Sequence, residues 1–244
     1  MAAFAGPRIV TDGLIMHLDA ADLNSYPGSG STWYDLTGNR NNGTLQASPT
    51  FSPNYVGSIG FNTASNLSQY VSVPSSASIP LSGTNFSMDT WMQFSNYGYS
   101  FNNGYTCQMF STTGTSSASG GNFGFQWYIN GNGSSWSNIG LYANNGSIYT
   151  TLASTWITNT WYYLTLTHTS TGNFTVYLNG NQIWNFTNAS GWTDNTPYAI
   201  ARNNQSGYED YFPGYISSFR IYNQVLTAAQ VQQNFRAHRG RYGV

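Results

Sequence analysis

Residues 86–94 read FSMDTWMQF, and their alternation sets the first constraint on the fold. In an extended chain Phe86, Met88, Thr90, Met92 and Phe94 share one face, with Asp89 and Trp91 on the other. A period of two sustained over this length is a strand signal, not a helical one. The same period recurs on both sides. LIMHL (14–18) puts Leu14, Met16 and Leu18 on one face, and WYYLTLTH (161–168) and NFTVYL (173–178) alternate similarly. YVSV (70–73), FGFQWYI (123–129), YAIA (198–201) and YISSFRIY (215–222) add further strands. VYLNGNQIWNF (176–186) reads as a hairpin, because Asn179-Gly180 supplies the positive φ angles of a tight turn. Roughly a dozen short strands parted by Gly, Asn and Pro turns predict an all-β sandwich or jelly roll.

One helix is expected, at the end. Thr227-Ala-Ala-Gln230 forms a capping-box pattern, Leu226, Val231 and Phe235 supply an apolar side, and Gly240 reads as the stop. The polar, Gly-rich stretch 95–124 reads in part as long loops at one end of the sandwich. Composition never shifts enough to mark a linker. A single domain is therefore expected: an N-terminal arm (1–12), a β-sandwich (13–223), and a C-terminal helix with a basic tail (224–244).

Only 6% of the 244 residues are charged, and the net charge is −1. Such a surface has no diffuse positive field for a nucleic acid backbone. It has neither an apolar run of membrane-spanning length nor a basic amphipathic helix. Aromatic residues at 17% make disorder untenable. Cys107 stands alone, so no internal disulfide forms, and a half-buried thiol is expected. MAAFAGPRIV (1–10) lacks the basic and apolar regions of a secretory signal, which points to synthesis in the cytoplasm.

Four stretches, in order along the chain, carry a family resemblance: DGLIMHLDAADLNSYPGSGSTWYDLTGNRNNGTL (12–45), FSMDTWMQF (86–94), WYYLTLTHTSTGNFTVYLNGNQI (161–183) and FPGYISSFRIYNQVLTAAQVQQNF (212–235). They resemble laminin-G-like domains of the concanavalin A-like lectin/glucanase class. The resemblance implies a jelly-roll sandwich of two antiparallel sheets with one short C-terminal helix. Stand-alone domains ending in Arg-Gly-Arg-aromatic-Gly are similar to structural proteins of tailed bacteriophages. That implies a virion-surface protein made in the host cytoplasm, homo-oligomeric, decorating or cementing a capsid or tail beside other virion proteins. A carbohydrate-binding lectin or adhesin module is the alternative.

Enzymes of this class that cleave glycosidic bonds carry an E-x-D-x-x-E type motif, and retention of configuration needs carboxyl groups about 5–5.5 Å apart. Here Glu209 is the one glutamate, Asp210 would point to the opposite side of a strand, and Asp89 has no acid at i+2 or i+4. No Gly-x-Ser-x-Gly elbow marks a nucleophile. A non-enzymatic role is expected.

DLTGNRNNG (35–43) offers Asp35 and Asn39 as hard oxygen ligands, and HLDAAD adds Asp19. Calcium is the one cofactor these suggest. The competing reading is that they organise side-chain-to-backbone turns without an ion. The acids this family carries just before its Arg-Ile-Tyr are Ser217 and Ser218 here, which weakens the calcium reading. Glycan contact would use aromatic faces beside amides: Trp136 in a loop first, then Trp127, Tyr128 and Trp192, with Asn138 beside them.

The ending FRAHRGRYGV gathers Arg236, Arg239 and Arg241 on a chain that otherwise avoids charge. Arg236 and Arg239 suit the negative end of a helix dipole. Arg241 and Tyr242 lie beyond the expected stop, and the tail reads as a docking element, with intramolecular clamping of the two termini as the competing reading.

Overall fold

The computed structural model describes residues 7–54, 56–61, 69–74, 78–95, 106–112, 126–131, 136–143, 146–151, 156–187, 197–203 and 211–244. Sixteen strands and one helix occur among them. In chain order the strands are β1 (Leu14–Asp19), β2 (Thr32–Trp33), β3 (Gly43–Gln46), β4 (Thr50–Ser52), β5 (Ser58–Phe61), β6 (Tyr70–Val73), β7 (Phe86–Phe94) and β8 (Thr106–Ser111). There follow β9 (Gln126–Gly131), β10 (Trp136–Ala143), β11 (Gly146–Thr151), β12 (Trp161–His168), β13 (Asn173–Leu178), β14 (Asn181–Thr187), β15 (Tyr198–Ile200) and β16 (Gly214–Tyr222), then α1 (Ala228–Tyr242).

The strands form two antiparallel sheets of eight. One runs β14-β13-β12-β7-β16-β5-β4, with β1 also on β16; the other runs β11-β10-β9-β8-β15-β6-β3-β2. Strand β16 is long enough to serve two neighbours on one edge: β5 pairs with Gly214–Ile216 and β1 with Ser218–Tyr222. This is the jelly-roll sandwich that the strand pattern predicts.

Every residue of β7 is buried. The reason is the two-sidedness of FSMDTWMQF. Phe86, Met88, Met92 and Phe94 enter the core between the sheets, with Trp33, Phe110, Trp127, Leu164 and Ile221. Trp91 enters a second apolar cluster on the outer face, with Val10, Tyr163, Tyr222, Val231, Phe235 and Tyr242. The helix covers that outer face. Cys107 lies in the inter-sheet core and is fully buried, not half-buried as expected.

The helix begins as the sequence predicts. Gln230 N donates to Thr227 Oγ1 at 3.3 Å, and Thr227 N donates to Gln230 Oε1 at 2.9 Å. It does not stop at Gly240. It runs to Tyr242 and is capped by Gly243, whose φ of 71° is left-handed and whose N–H reaches Arg239 O. A glycine inside a helix costs about 1 kcal/mol relative to alanine. Burial of Tyr242 two residues later outweighs that.

The β13–β14 hairpin has its tight turn at Asn179 (φ 49°) and Gly180 (φ 80°). A Cβ at Gly180 would lie 2.7 Å from Gln232 Nε2, and Gln232 Nε2 donates to Gly180 O at 2.8 Å. The left-handed φ calls for glycine, and a side chain there would push the Gln232 amide off its bond to Gly180 O.

Candidate functional site

Neighbouring strands β7, β16 and β1 offer polar groups to the underside of α1, and their register explains why. Asp89 lies opposite Arg220, and Arg220 lies opposite His17. Cross-strand partners project from the same face of a sheet. Arg220, fully buried, donates from Nε to Asp89 Oδ1 at 2.6 Å. Asp89 Oδ2 accepts from Tyr163 OH at 2.8 Å and from Asn234 Nδ2 at 3.2 Å. Asn234 also donates to Tyr222 OH at 3.0 Å, and its Oδ1 accepts from Val10 N at 2.7 Å. One helical amide thus ties β7, β16 and the N-terminal segment together.

Burial is the largest influence on Asp89 and raises its carboxyl pKa, against the pull of Arg220 and the Tyr163 and Asn234 donors. Burial would lower Arg220, but Asp89 beside it more than reverses that. Burial, then the Asp89 charge, pushes the Tyr163 phenol well above its ordinary value. A buried pair of this kind does little for net stability but penalises any misplacement of its partners. Its effect is to locate the helix on the sheet.

One turn beyond His238 the helix is fastened again. Arg241 Nη1 donates to both carboxylate oxygens of Asp19, at 2.8 and 2.9 Å. Burial works to raise Asp19, yet the charge and hydrogen bonds of Arg241 hold it below the ordinary carboxylate range. Tyr242 stacks on Trp91 at 3.9 Å between centroids and 12° between planes, and its OH donates to Ser217 Oγ at 2.9 Å. Burial pushes the Tyr242 phenol up to about 12. Between the two readings of the tail, Arg241 and Tyr242 therefore form the intramolecular clamp. Arg236 and Arg239 stay exposed. The continuing stripe Val231, Phe235, Tyr242 was the available signal, and Gly240 masked it.

The oxygens proposed for calcium are occupied by protein donors. Asp35 accepts from His17 N, Thr37 N, Thr37 Oγ1 and Asn41 N, all between 2.7 and 2.9 Å. Asn39 turns its amide nitrogen inward, to Ile15 O at 3.0 Å. Asp19 is held by Arg241 and by Ala21 N. Among the described residues no three His, Cys, Asp or Glu side chains gather as metal ligands. These side-chain-to-backbone bonds are those that the turn reading expects.

The glycan candidates are redistributed. Trp127 is fully buried between the sheets and Tyr128 is 6% exposed, so neither offers a face for stacking. Trp136 opens strand β10 opposite Gly131 instead of lying in a loop, and Asn138 follows on the same strand. The side chains of Trp136 and Asn138, and the whole of Trp192, Glu209, Asp210 and most of the 95–124 loop, lie outside the described residues. Sequence reading missed another pair. On β14, at the edge of its sheet, half-buried Trp184 and Phe186 stack at 4.2 Å and 28°, and Phe186 stacks on Phe174 at 5.0 Å and 7°. Gln182 and Asn185 on the same strand are exposed. The alternation in QIWNF is the signal for this pair, and it equally fits a plain hairpin arm.

Residues 64–232 match the Laminin_G_3 model of the concanavalin A-like lectin/glucanases superfamily. The chain belongs to that superfamily. Among solved structures, this concanavalin A-like domain is similar to the Trypanosoma rangeli sialidase in complex with sialic acid, with TM-score 0.68, 15% identity, and coverage of 97% of this chain and 35% of the sialidase. It is similar to the binding domain of Paraclostridial Mosquitocidal Protein 1, with TM-score 0.66, 17% identity, and coverage of 93% and 52%. A third likeness is to the binding domain of Botulinum neurotoxin DC in complex with rat synaptotagmin II, with TM-score 0.64, 14% identity, and coverage of 93% and 52%. The likeness is one of fold, and the chain spans 35% of the sialidase and 52% of each toxin domain. No curated protein matches the sequence.

Proposed function

We propose that this concanavalin A-like domain is a non-enzymatic recognition module that contacts glycans along the edge strand β14. The observation carrying the proposal is the half-buried Trp184–Phe186 stack on the edge strand, with exposed Gln182 and Asn185 on the other face of that strand. An aromatic face supplies apolar area to a pyranose ring. The packing of Phe186 on Phe174 holds the platform rigid, so little side-chain freedom is lost on binding.

The acids support the non-catalytic half of the reading. Asp89 and Asp19 are each buried against an arginine, and Asp35 is filled by backbone and hydroxyl donors. Glycosidases need a facing carboxyl pair with access to substrate. The fold neighbours, a sialidase and two toxin binding domains, favour a recognition module over the virion cement role that the sequence resemblance implied first, and they lend no support to a phage setting.

The test is a glycan array with wild-type protein and Trp184→Ala, followed by titration calorimetry on any hit. The expected result is saturable sugar binding weakened at least about tenfold by the substitution, with no hydrolysis of the bound glycan. Equal binding by both proteins would remove β14 as the site, and turnover of the glycan would overturn the non-enzymatic reading.

A further inference from the structure

The space between α1 and the outer face of its sheet holds an unusual concentration of unpartnered polar atoms. Arg220 is fully buried, and only its Nε is used, on Asp89. Its Nη1 and Nη2 are buried with no hydrogen-bond partner. The same is true of His17 Nε2, His238 Nδ1 and Ser218 Oγ.

Register and helical spacing bring these atoms together. His17 lies directly opposite Arg220 on β1 and β16, and Ser218, two residues before Arg220, lies on the same face opposite Asp19. The helix crosses these strands with Asn234 bound to Asp89 on β7 and Arg241 bound to Asp19 on β1. His238 sits between those two anchors, over the intervening strand β16. The charges of Arg220, Arg241, Asp19 and His17 all act on it. Arg220, His17 and Ser218 share the sheet face that the helix covers, and His238 lies on the helix among their charges. His17 and His238 are half-buried and form the side nearest solvent.

The two Arg220 nitrogens can only donate. A serine hydroxyl can donate as well as accept, and a neutral histidine carries one N–H and one acceptor nitrogen, so each of the other three groups can turn a donor inward. The nearby carboxylates do not quench these donors: Asp89 is occupied by Arg220 Nε, Tyr163 and Asn234, and Asp19 by Arg241 and Ala21 N. A single water accepts from about two donors, which would leave the others unmet. A halide accepts from all sides.

We infer that the space enclosed by Arg220, His17, Ser218 and His238 beneath the C-terminal helix is a binding site for one small monovalent anion of chloride or bromide size. Occupied, it joins β1, β16 and α1 at a point where both Arg220 Nη donors otherwise go unmet. Its occupancy stabilises the seating of the helix and is independent of glycan contact at β14.

Bromide is the probe. Thermal melts in sodium bromide are compared with melts in sodium gluconate at equal ionic strength, gluconate being too large to enter. Above saturation, mass action predicts a midpoint rising by about 3–6 °C per tenfold increase in bromide over the gluconate control. Ser218→Ala and His238→Leu, which remove one donor each and leave the Asp89–Arg220 pair intact, should flatten that slope at low bromide by raising the concentration at which it begins about tenfold. Arg220→Met should abolish it, and if that variant does not fold the other two carry the test. A bromide-soaked crystal should show an anomalous peak within hydrogen-bond distance of Arg220 Nη1 and Nη2. Identical melts in bromide and gluconate, variants indistinguishable from wild type, or an ordered water in place of the anomalous peak would each overturn the assignment.

Discussion

Tyr242→Ala tests whether the end of the chain is a structural clamp. The ring lies flat on Trp91 at 3.9 Å, meets Trp161 at 5.0 Å, and is 6% exposed. Truncating a buried aromatic to alanine costs about 3–5 kcal/mol. The hydroxyl bond to Ser217 Oγ contributes about 1 kcal/mol more. Tyr242 is the last helical residue before the Gly243 cap, so the final turn can fray and shed part of the strain. The expected loss is therefore ~3–4 kcal/mol, against ~1 kcal/mol for Tyr242→Phe, which keeps the stack. In a domain of this size each kcal/mol moves the midpoint by about 2–4 °C. Urea titrations followed by tryptophan fluorescence and by circular dichroism would measure both variants, with the two probes checking that unfolding stays two-state. If Tyr242→Ala lies within about 0.5 kcal/mol of wild type, the typical range for an inconsequential surface change, the helix end is not seated on Trp91 and the clamp reasoning fails.

Two further outcomes follow from the buried polar groups. His168 is 2% exposed between Phe86 and Phe174 and donates from Nδ1 to Thr84 O at 2.9 Å; burial lowers its pKa to about 4. His17 and His238 are shifted the same way, to about 4 and about 3, each by burial first and Arg220 second. The unfolded chain then takes up protons near pH 6.5 that the folded chain refuses, so stability present above that pH falls as the pH drops toward 4. For His168 alone the loss is on the order of 3 kcal/mol, and His168→Gln should flatten the decline between pH 6.5 and 4 in denaturant titrations; an unchanged slope would contradict the burial argument. Asp35→Ala should cost ~2–4 kcal/mol by orphaning the donors of His17, Thr37 and Asn41, while wild-type melts in calcium and in EDTA should superimpose; a calcium-dependent midpoint would reinstate an ion in that loop.

The sequence alone determined the fold class, strand β7, the β13–β14 turn and the start of the helix, because those follow from short-range regularities. Period-two alternation in FSMDTWMQF, the Asn179-Gly180 turn and the Thr227–Gln230 capping box are each local, and each appears where the sequence placed it. Even the opposite roles of Met88 and Trp91 were legible, since pleating alone separates them. What Asp89 and Trp91 face was not legible. Asp89 meets Arg220 and Asn234 across sequence separations of 131 and 145 residues, and Asp19 meets Arg241 across 222. No local pattern encodes such pairings, because they depend on which strands become neighbours and on where the helix crosses them. The same limit explains Gly240. Its helical penalty is local and argues for a stop, whereas the stacking of Tyr242 on Trp91 that carries the helix onward exists only once the sheet is assembled. Trp127 follows the same logic in reverse: indole chemistry suited it to a sugar, and only the packing of the second sheet over the first decided that its face belongs to the core.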